Sequence, residues 1–348
     1  MKSKEYWKKR FQQIEDAANS KARTNKQQWE ELFMYAKSEI DEQINSWYQR
    51  FCDNNGIKMA QARKWLNSKE LQELRWTVQQ YIKHGKKNAQ DGQWLKQLEN
   101  ASVRYHISRL EALKLNIQAQ IEDVFALGKT SFFDCLSDVY SDTYYRTCFE
   151  LSKGIGVGFN VANVTAAQIN TVLSKPWAVN GVNFSSNLWE NKTKLINTLN
   201  QQLSRMVLTG ESPHKTINRI SMVMESSKNN VSRLVMTEQA YFTTQSQQKA
   251  YDDLDVEQYE FVATLDGHTC KRCSPLDGKH WPVKDMTVGV NVAPIHPYCR
   301  CTSVPWFDDD FGMVGERAAR DEDGNTVYIP GNMGYEEWKK EFVKDGGK

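Results

Sequence analysis

The stretch Thr264–Pro305 constrains this chain more than any other. It reads T-L-D-G-H-T-C-K-R-C-S-P-L-D-G-K-H-W-P, then a less patterned loop, then A-P-I-H-P-Y-C-R-C-T-S-V-P, and it holds four of the seven cysteines and three of the six histidines. Cys270 and Cys273 form a C-x2-C turn whose sulfurs can face one point, and Cys299 and Cys301 return behind His296. Thiolate and imidazole donors gathered from two separated turns are what a tetrahedral zinc ion needs. Asp266-Gly267 and Asp277-Gly278 mark tight reversals, and Pro294 and Pro297 hold the second donor turn extended. Zinc in a structural role is therefore the expected cofactor. Reduced core thiols and two disulfides are the competing readings of the same four sulfurs.

Cys270 and Cys273 supply one edge of the tetrahedron. Three residues compete for the opposite edge: His296, Cys299 and Cys301. In a strand, Cys299 and Cys301 project from one face, whereas His296 and Cys299 have the spacing of a turn. The sequence leaves this choice open, with His268 and His280 as spare donors.

The same stretch resembles the C-terminal domain of phage minor head proteins, the Mu F-like head morphogenesis family. The resemblance is carried by Asp266 and Thr269, by Leu276-Asp277-Gly278-Lys279, and by the hexapeptide His296-Pro297-Tyr298-Cys299-Arg300-Cys301 preceded by Pro294. Upstream it extends through Leu188-Trp189, Gly210-Glu211-Ser212 and Arg233-Leu234-Val235-Met236-Thr237-Glu238. It implies a minor head protein incorporated with the portal during procapsid assembly and lying inside the virion head. The portal protein is the implied partner, with scaffolding protein, major capsid protein and packaged DNA as further contacts. Some relatives are ejected with the DNA or influence its release. The metal expectation does not come from the resemblance; it rests on the cysteine spacing of this sequence.

Apolar residues at spacings of three and four predict helices over 3–20 (Trp7, Phe11, Ile14) and 25–54, the second stopped by Asn54-Asn55-Gly56. Shorter helices are expected at 59–63 and 68–71, with a loop at 84–88. A long helix follows from about Asn100 to Leu127, ended by Gly128, and another covers 131–152. Gly154–Phe159 reads as a connector rather than a phosphate cradle, because no strand precedes it and no P-loop lysine follows. Pro176–Ser186 reads as a turn-rich insertion or small hairpin. Helices then cover 188–208, with Gly210 as terminator, a stretch starting at Ser212-Pro213, and 231–254 after Asn229-Asn230. Tyr259–Leu265 reads as a strand entering the first cysteine turn, with Cys301–Val304 as its partner.

The fold class expected is α+β, mostly α: an extended helical body with a small, zinc-clipped, cysteine-rich β lobe near the C-terminus. Its divisions are a helical arm (1–128), a helical domain (129–254), a Cys/His β lobe (255–307) and an acidic tail with a short aromatic helix (308–348). Glu238 and Arg233 invite an acid–base reading. Five residues apart on a helix, they lie roughly 140° apart around its axis, so Glu238 is expected to brace the lobe and not to catalyse. The alternatives to a head protein are a DNA-binding ejection protein and a metal-dependent nuclease using His280 or His296.

Charge speaks to the first alternative. Residues 1–100 and 151–250 each carry +6, residues 101–150 carry −2 and residues 251–348 carry −8, giving +2 overall. That basic density is modest and matches a solvated helical surface as readily as a DNA contact. No charged-then-apolar leader opens the sequence, and no apolar run approaches the ~18 residues of a membrane span. The expectation is a soluble protein made in the host cytoplasm.

Overall fold

The computed structural model describes residues 3–54, 109–155, 163–175, 177, 184–209, 212–266, 269–307, 316–320 and 326–330. The expected elements at 59–63, 68–71 and 84–88, the aromatic helix around Tyr335, and His268 lie outside these residues. Five helices are described: α1 (Lys4–Asn54), α2 (Arg109–Ile155), α3 (Ala166–Ser174), α4 (Phe184–Thr209) and α5 (Pro213–Asp253). The strands are β1 (Gln258–Val262), β2 (His280–Pro282), β3 (Thr302–Trp306), β4 (Glu316–Arg320) and β5 (Thr326–Pro330). The fold is α+β and mostly α, with its cysteine-rich β lobe near the C-terminus.

Contacts group the chain into two units, one of Met1–Asn25, Phe132–Phe184 and Arg233–Lys348, the other of Lys26–Ser131 and Ser185–Ser232. The first has two buried clusters, and the larger draws on helices and sheet alike. Trp7 and Phe11 of α1 join Tyr144, Cys148 and Leu151 of α2, Tyr251 of α5, and Tyr259, Val262 and Val304 of the sheet. Tyr6 donates to Glu150 at 2.6 Å and Lys21 pairs with Asp138 at 2.7 Å, so here the two helices run antiparallel. The second unit is centred on Trp29 and Phe33 of α1, both set edge-on to Phe125 of α2 at 5.7 and 5.9 Å. Within it Lys192, 4% exposed, pairs with Glu122 at 2.6 Å and lies over the Trp189 ring.

The predicted stop at Gly128 does not occur, because that glycine serves packing. α2 passes straight through it. A Cβ at Gly128 would come within 2.5 Å of the Trp29 ring, and one at Gly154 would come within 2.1 Å of the Trp7 ring. A helical glycine costs about 1 kcal/mol relative to alanine. At these two positions that cost is offset by seating an indole against bare backbone. The expected breaks between residues 20 and 25 and at Asn229-Asn230 are likewise absent. Both asparagines are exposed, where their poor helix propensity costs only tenths of a kcal/mol. The buried row Ile220, Met224, Val231, Val235 continues past them.

Four elements went unread in the sequence. α3 opens on a capping box: the Gln168 amide N–H bonds the Thr165 hydroxyl at 3.3 Å, and the Thr165 amide N–H bonds the Gln168 side chain at 2.8 Å. β2 adds a third strand to the lobe. Inside the stretch read as an acidic tail, β4 and β5 pair antiparallel from Glu316↔Pro330 to Arg320↔Thr326.

Gly128→Ala separates packing from propensity. Propensity alone predicts a gain of about 1 kcal/mol. The Trp29 contact predicts a net loss of about 1–3 kcal/mol through overpacking. Chemical denaturation decides between them, and unchanged or increased stability would show that the ring does not need the bare backbone.

Candidate metal centre

The sheet has the order β2-β1-β3, antiparallel throughout, with Glu260 opposite both His280 and Val304. Past β1, Phe261, Ala263 and Leu265 form an apolar floor with Ala293 and Ile295, and Cys273, Cys299 and Cys301 pack into it.

The first donor turn is pinned by its own backbone. The Cys273 N–H donates to the Cys270 carbonyl at 3.1 Å and lies 3.4 Å from its sulfur, and the Ser274 N–H reaches the same carbonyl at 3.0 Å. Asp277 then folds back to accept the Ala263 N–H at 2.9 Å. Gly278 takes φ +75°, a conformation that favours glycine, and its N–H reaches the Phe261 carbonyl at 2.9 Å to start β2. The second turn closes in the same way, with the Cys299 N–H on the His296 carbonyl at 3.1 Å.

Buried Asp266 joins the two turns. Its carboxylate receives both Nη atoms of Arg300, Nη2 at 2.9 Å, and its N–H donates to the Thr269 hydroxyl at 3.0 Å. The hydrogen bond to Asp266 holds the Arg300 guanidinium above its ordinary value. Asp266, Thr269, Asp277, Gly278 and Arg300 therefore all position the donor turns.

Five donors meet around one sulfur. The donor atoms of Cys270, Cys273 and His296 lie within 4.8 Å of one another, and so do those of Cys273, Cys299 and Cys301. The Cys273 and Cys299 sulfurs are 4.0 Å apart, close to the roughly 3.8 Å edge of a tetrahedron with Zn–S bonds of about 2.3 Å. They are too far apart for a disulfide, and every described cysteine is a free thiol. The His296 Nδ1 sits 2.7 Å from the Pro297 carbonyl, which can only accept. Nδ1 therefore carries the proton, and Nε2 keeps the lone pair a metal would use.

The Cys299 thiol is held well below its ordinary range because Cys273 and Cys301 donate to its sulfur. Those two are pushed up in turn by donating to Cys299. Three buried sulfurs packed this closely are an arrangement that a divalent cation would stabilise by replacing the thiol protons. Burial pushes the Cys135 and Cys148 thiols up to about 11, as suits inert core positions.

The remaining candidates lie elsewhere. His280 stacks on Trp306 at 4.4 Å between centroids and belongs to neither donor group. Glu238 is 3% exposed and accepts the Trp177 indole N–H at 3.0 Å, while Trp177 stacks on Tyr241. α5 bonds the lobe at several places: the Thr237 hydroxyl accepts the Tyr298 N–H at 3.2 Å, Gln247 donates to the Thr302 hydroxyl at 3.1 Å, and the Tyr251 hydroxyl donates to the Ser303 carbonyl at 3.1 Å. Two anchors were missed in the sequence. Lys8 pairs with Glu260 of β1 at 2.7 Å. Glu15, fully enclosed, accepts from Asn19 at 3.1 Å and Gln239 at 3.4 Å, and burial lifts its carboxyl to about 8. Glu15 sits four residues after Phe11 on a buried apolar stripe, and a charge there was the available signal.

Residues 197–304 match the family model described as Phage Mu protein F like protein. Those residues are a Mu F-like segment. It begins within α4 and ends in β3, so it contains both donor turns and all five candidate donors. No curated protein and no solved structure matches the chain. The segment is a minority of the chain, and the Mu F-like lobe is completed from outside it by Trp7, Lys8 and Phe11.

Burial raises the Glu238 carboxyl from about 4.5 to about 7, so folding takes up a proton between those values. Its contribution to stability is fully present below about 4.5 and is lost as pH rises through about 7. Glu238→Gln keeps an acceptor for the indole without the charge. The variant should gain on the wild type across that window by on the order of 3 kcal/mol. Unfolding free energies that track each other from pH 4 to 8 would refute the buried proton.

Proposed function

We propose that this protein is a minor head protein of a tailed phage, built into the head together with the portal and acting by binding rather than by catalysis. The observation that carries the reading is the agreement between the Mu F-like segment and the lobe's architecture. The motif residues that define the resemblance are the same ones that hold the two donor turns. The portal protein is the primary partner. Scaffolding protein, major capsid protein and packaged DNA are further contacts inside the head, where the chain assists assembly and DNA release.

Zinc belongs to the same reading. Cys270 and Cys273, with two of His296, Cys299 and Cys301, would hold it. Thiolate and imidazole donors at tetrahedral spacing suit that metal. Its role is structural: a three-stranded sheet of short strands is marginal by itself, and a metal joining its two connecting loops raises the cost of opening them.

Two measurements test the two halves of the proposal. Heads purified from infected cells should contain this chain in few copies, and portal rings should co-sediment with it. Heads that carry portal but none of this chain would overturn the head assignment. Elemental analysis of the purified protein should find about one zinc per chain, lost in Cys270→Ser/Cys273→Ser while helical content is kept. Zero zinc with all seven thiols titratable would remove the metal and leave the head assignment resting on the segment alone.

A further inference from the structure

We propose that the five donors divide the work of the zinc site: His296 captures the ion at the surface, Cys299 and Cys301 retain it, and Cys270 and Cys273 take part in both. This division rests on the zinc reading above and says how that site fills. The donors fall into two compact groups, one of Cys270, Cys273 and His296, the other of Cys273, Cys299 and Cys301. Burial separates them. Cys270 and His296 are half-buried, whereas Cys273, Cys299 and Cys301 are 1%, 2% and 6% exposed. Zinc arrives hydrated and loses its first waters to donors that solvent reaches, which here are Cys270 and His296. His296 stands in an exposed turn, with Pro297 and Tyr298 beside it. Its Nδ1 lies 2.7 Å from the Pro297 carbonyl, which leaves the other ring nitrogen for the ion.

The inner group has what retention needs. Its three sulfurs are set into the apolar floor beside Phe261 and Ile295, and Cys270 packs against the same cluster. The Cys273 and Cys299 sulfurs, 4.0 Å apart, already span about one edge of a zinc tetrahedron. The floor keeps out water that would compete for the ion, and thiolates are soft donors that zinc holds well. Backbone hydrogen bonds brace both turns from within, the Cys273 N–H on the Cys270 carbonyl and the Cys299 N–H on the His296 carbonyl, both at 3.1 Å. The fold therefore sets the two groups side by side, with Cys273 common to both. Cys270, Cys273, Cys299 and Cys301 form the resting set, each thiol releasing its proton to solvent as it binds, and His296 is let go.

Cobalt(II) is the probe, because it accepts the same tetrahedral donors and its near-ultraviolet charge-transfer absorption grows with the number of thiolates bound. Stopped-flow mixing with metal-free full-length protein should give a fast phase of low thiolate absorption, then a slower rise to a four-thiolate end point. His296→Ala should lose the fast phase and still reach the wild-type end-point spectrum. Cys299→Ser should keep the fast phase and stop at a three-thiolate spectrum, with His296 retained as the fourth donor. His296 is half-buried in an exposed turn, so His296→Ala, checked by circular dichroism, carries the decision. An altered end-point spectrum in that variant would place the imidazole in the resting set. An unchanged fast phase would remove His296 from capture. Either result overturns the division of work and leaves the zinc reading intact. A wild type that takes up no cobalt and holds no zinc by elemental analysis overturns both.

Discussion

Trp7 and Phe11, near the start of the chain, close the core of a lobe encoded near its end. Three short strands bury too little apolar surface to stay folded alone, and the Mu F-like segment supplies only part of what covers them. Trp7 fits over Gly154 and tilts onto Phe307, while Phe11 stacks on Tyr251. Between them, Lys8 reaches Glu260, whose side chain is only 3% exposed. A buried pair of this kind adds little net stability, because desolvation cancels most of the attraction. Removing one partner, however, strands a charge. The pair therefore fixes which face of α1 meets β1 more than it tightens the contact. The first turns of α1 complete the core of the lobe, so the region with recognisable motifs does not enclose its own core.

A second constraint acts inside the lobe. Side chains on two loops must converge on one point, and loops left to themselves would not hold them there. The structure solves this with short-range hydrogen bonds that each use a motif residue. Asp266 grips Arg300 across the two turns, Thr269 bridges backbone groups, Asp277 satisfies the end of β1, and Gly278 supplies a reversal that a side chain would strain. Donor convergence is thus encoded around the cysteines as much as in them.

This explains which parts of the fold were legible in the sequence. The donor turns and the β1–β3 pairing depend on local spacing and turn chemistry, and both were readable. So was the start of α5 at Ser212-Pro213. The errors at Gly128 and at Asn229-Asn230 share one cause. Each residue is a good local stop signal overruled by tertiary context, an indole in the first case and a continuing buried row in the second. α3 was a different kind of miss: Thr165-Ala166-Ala167-Gln168 spells its capping box openly. Lys8–Glu260 and Trp177–Glu238 could not have been read, because nothing in one strand or helix announces a partner so distant in the chain.

On the zinc reading, five donors compete for four places, and the competition is not even. Cys273 belongs to both compact donor groups and is the residue they share. Cys270 is fixed by the backbone of its own turn, which leaves the second turn as the adjustable half. There His296 engages the Pro297 carbonyl through Nδ1, and the Cys299 thiol is held below its ordinary range by the neighbouring cysteine sulfurs. Losing one of these three leaves two that can complete the tetrahedron. Losing Cys273 removes the one donor that links the two groups. The asymmetry divides the labour: one vertex is common to both groups and braced by the backbone of its own turn, and the opposite edge tolerates change.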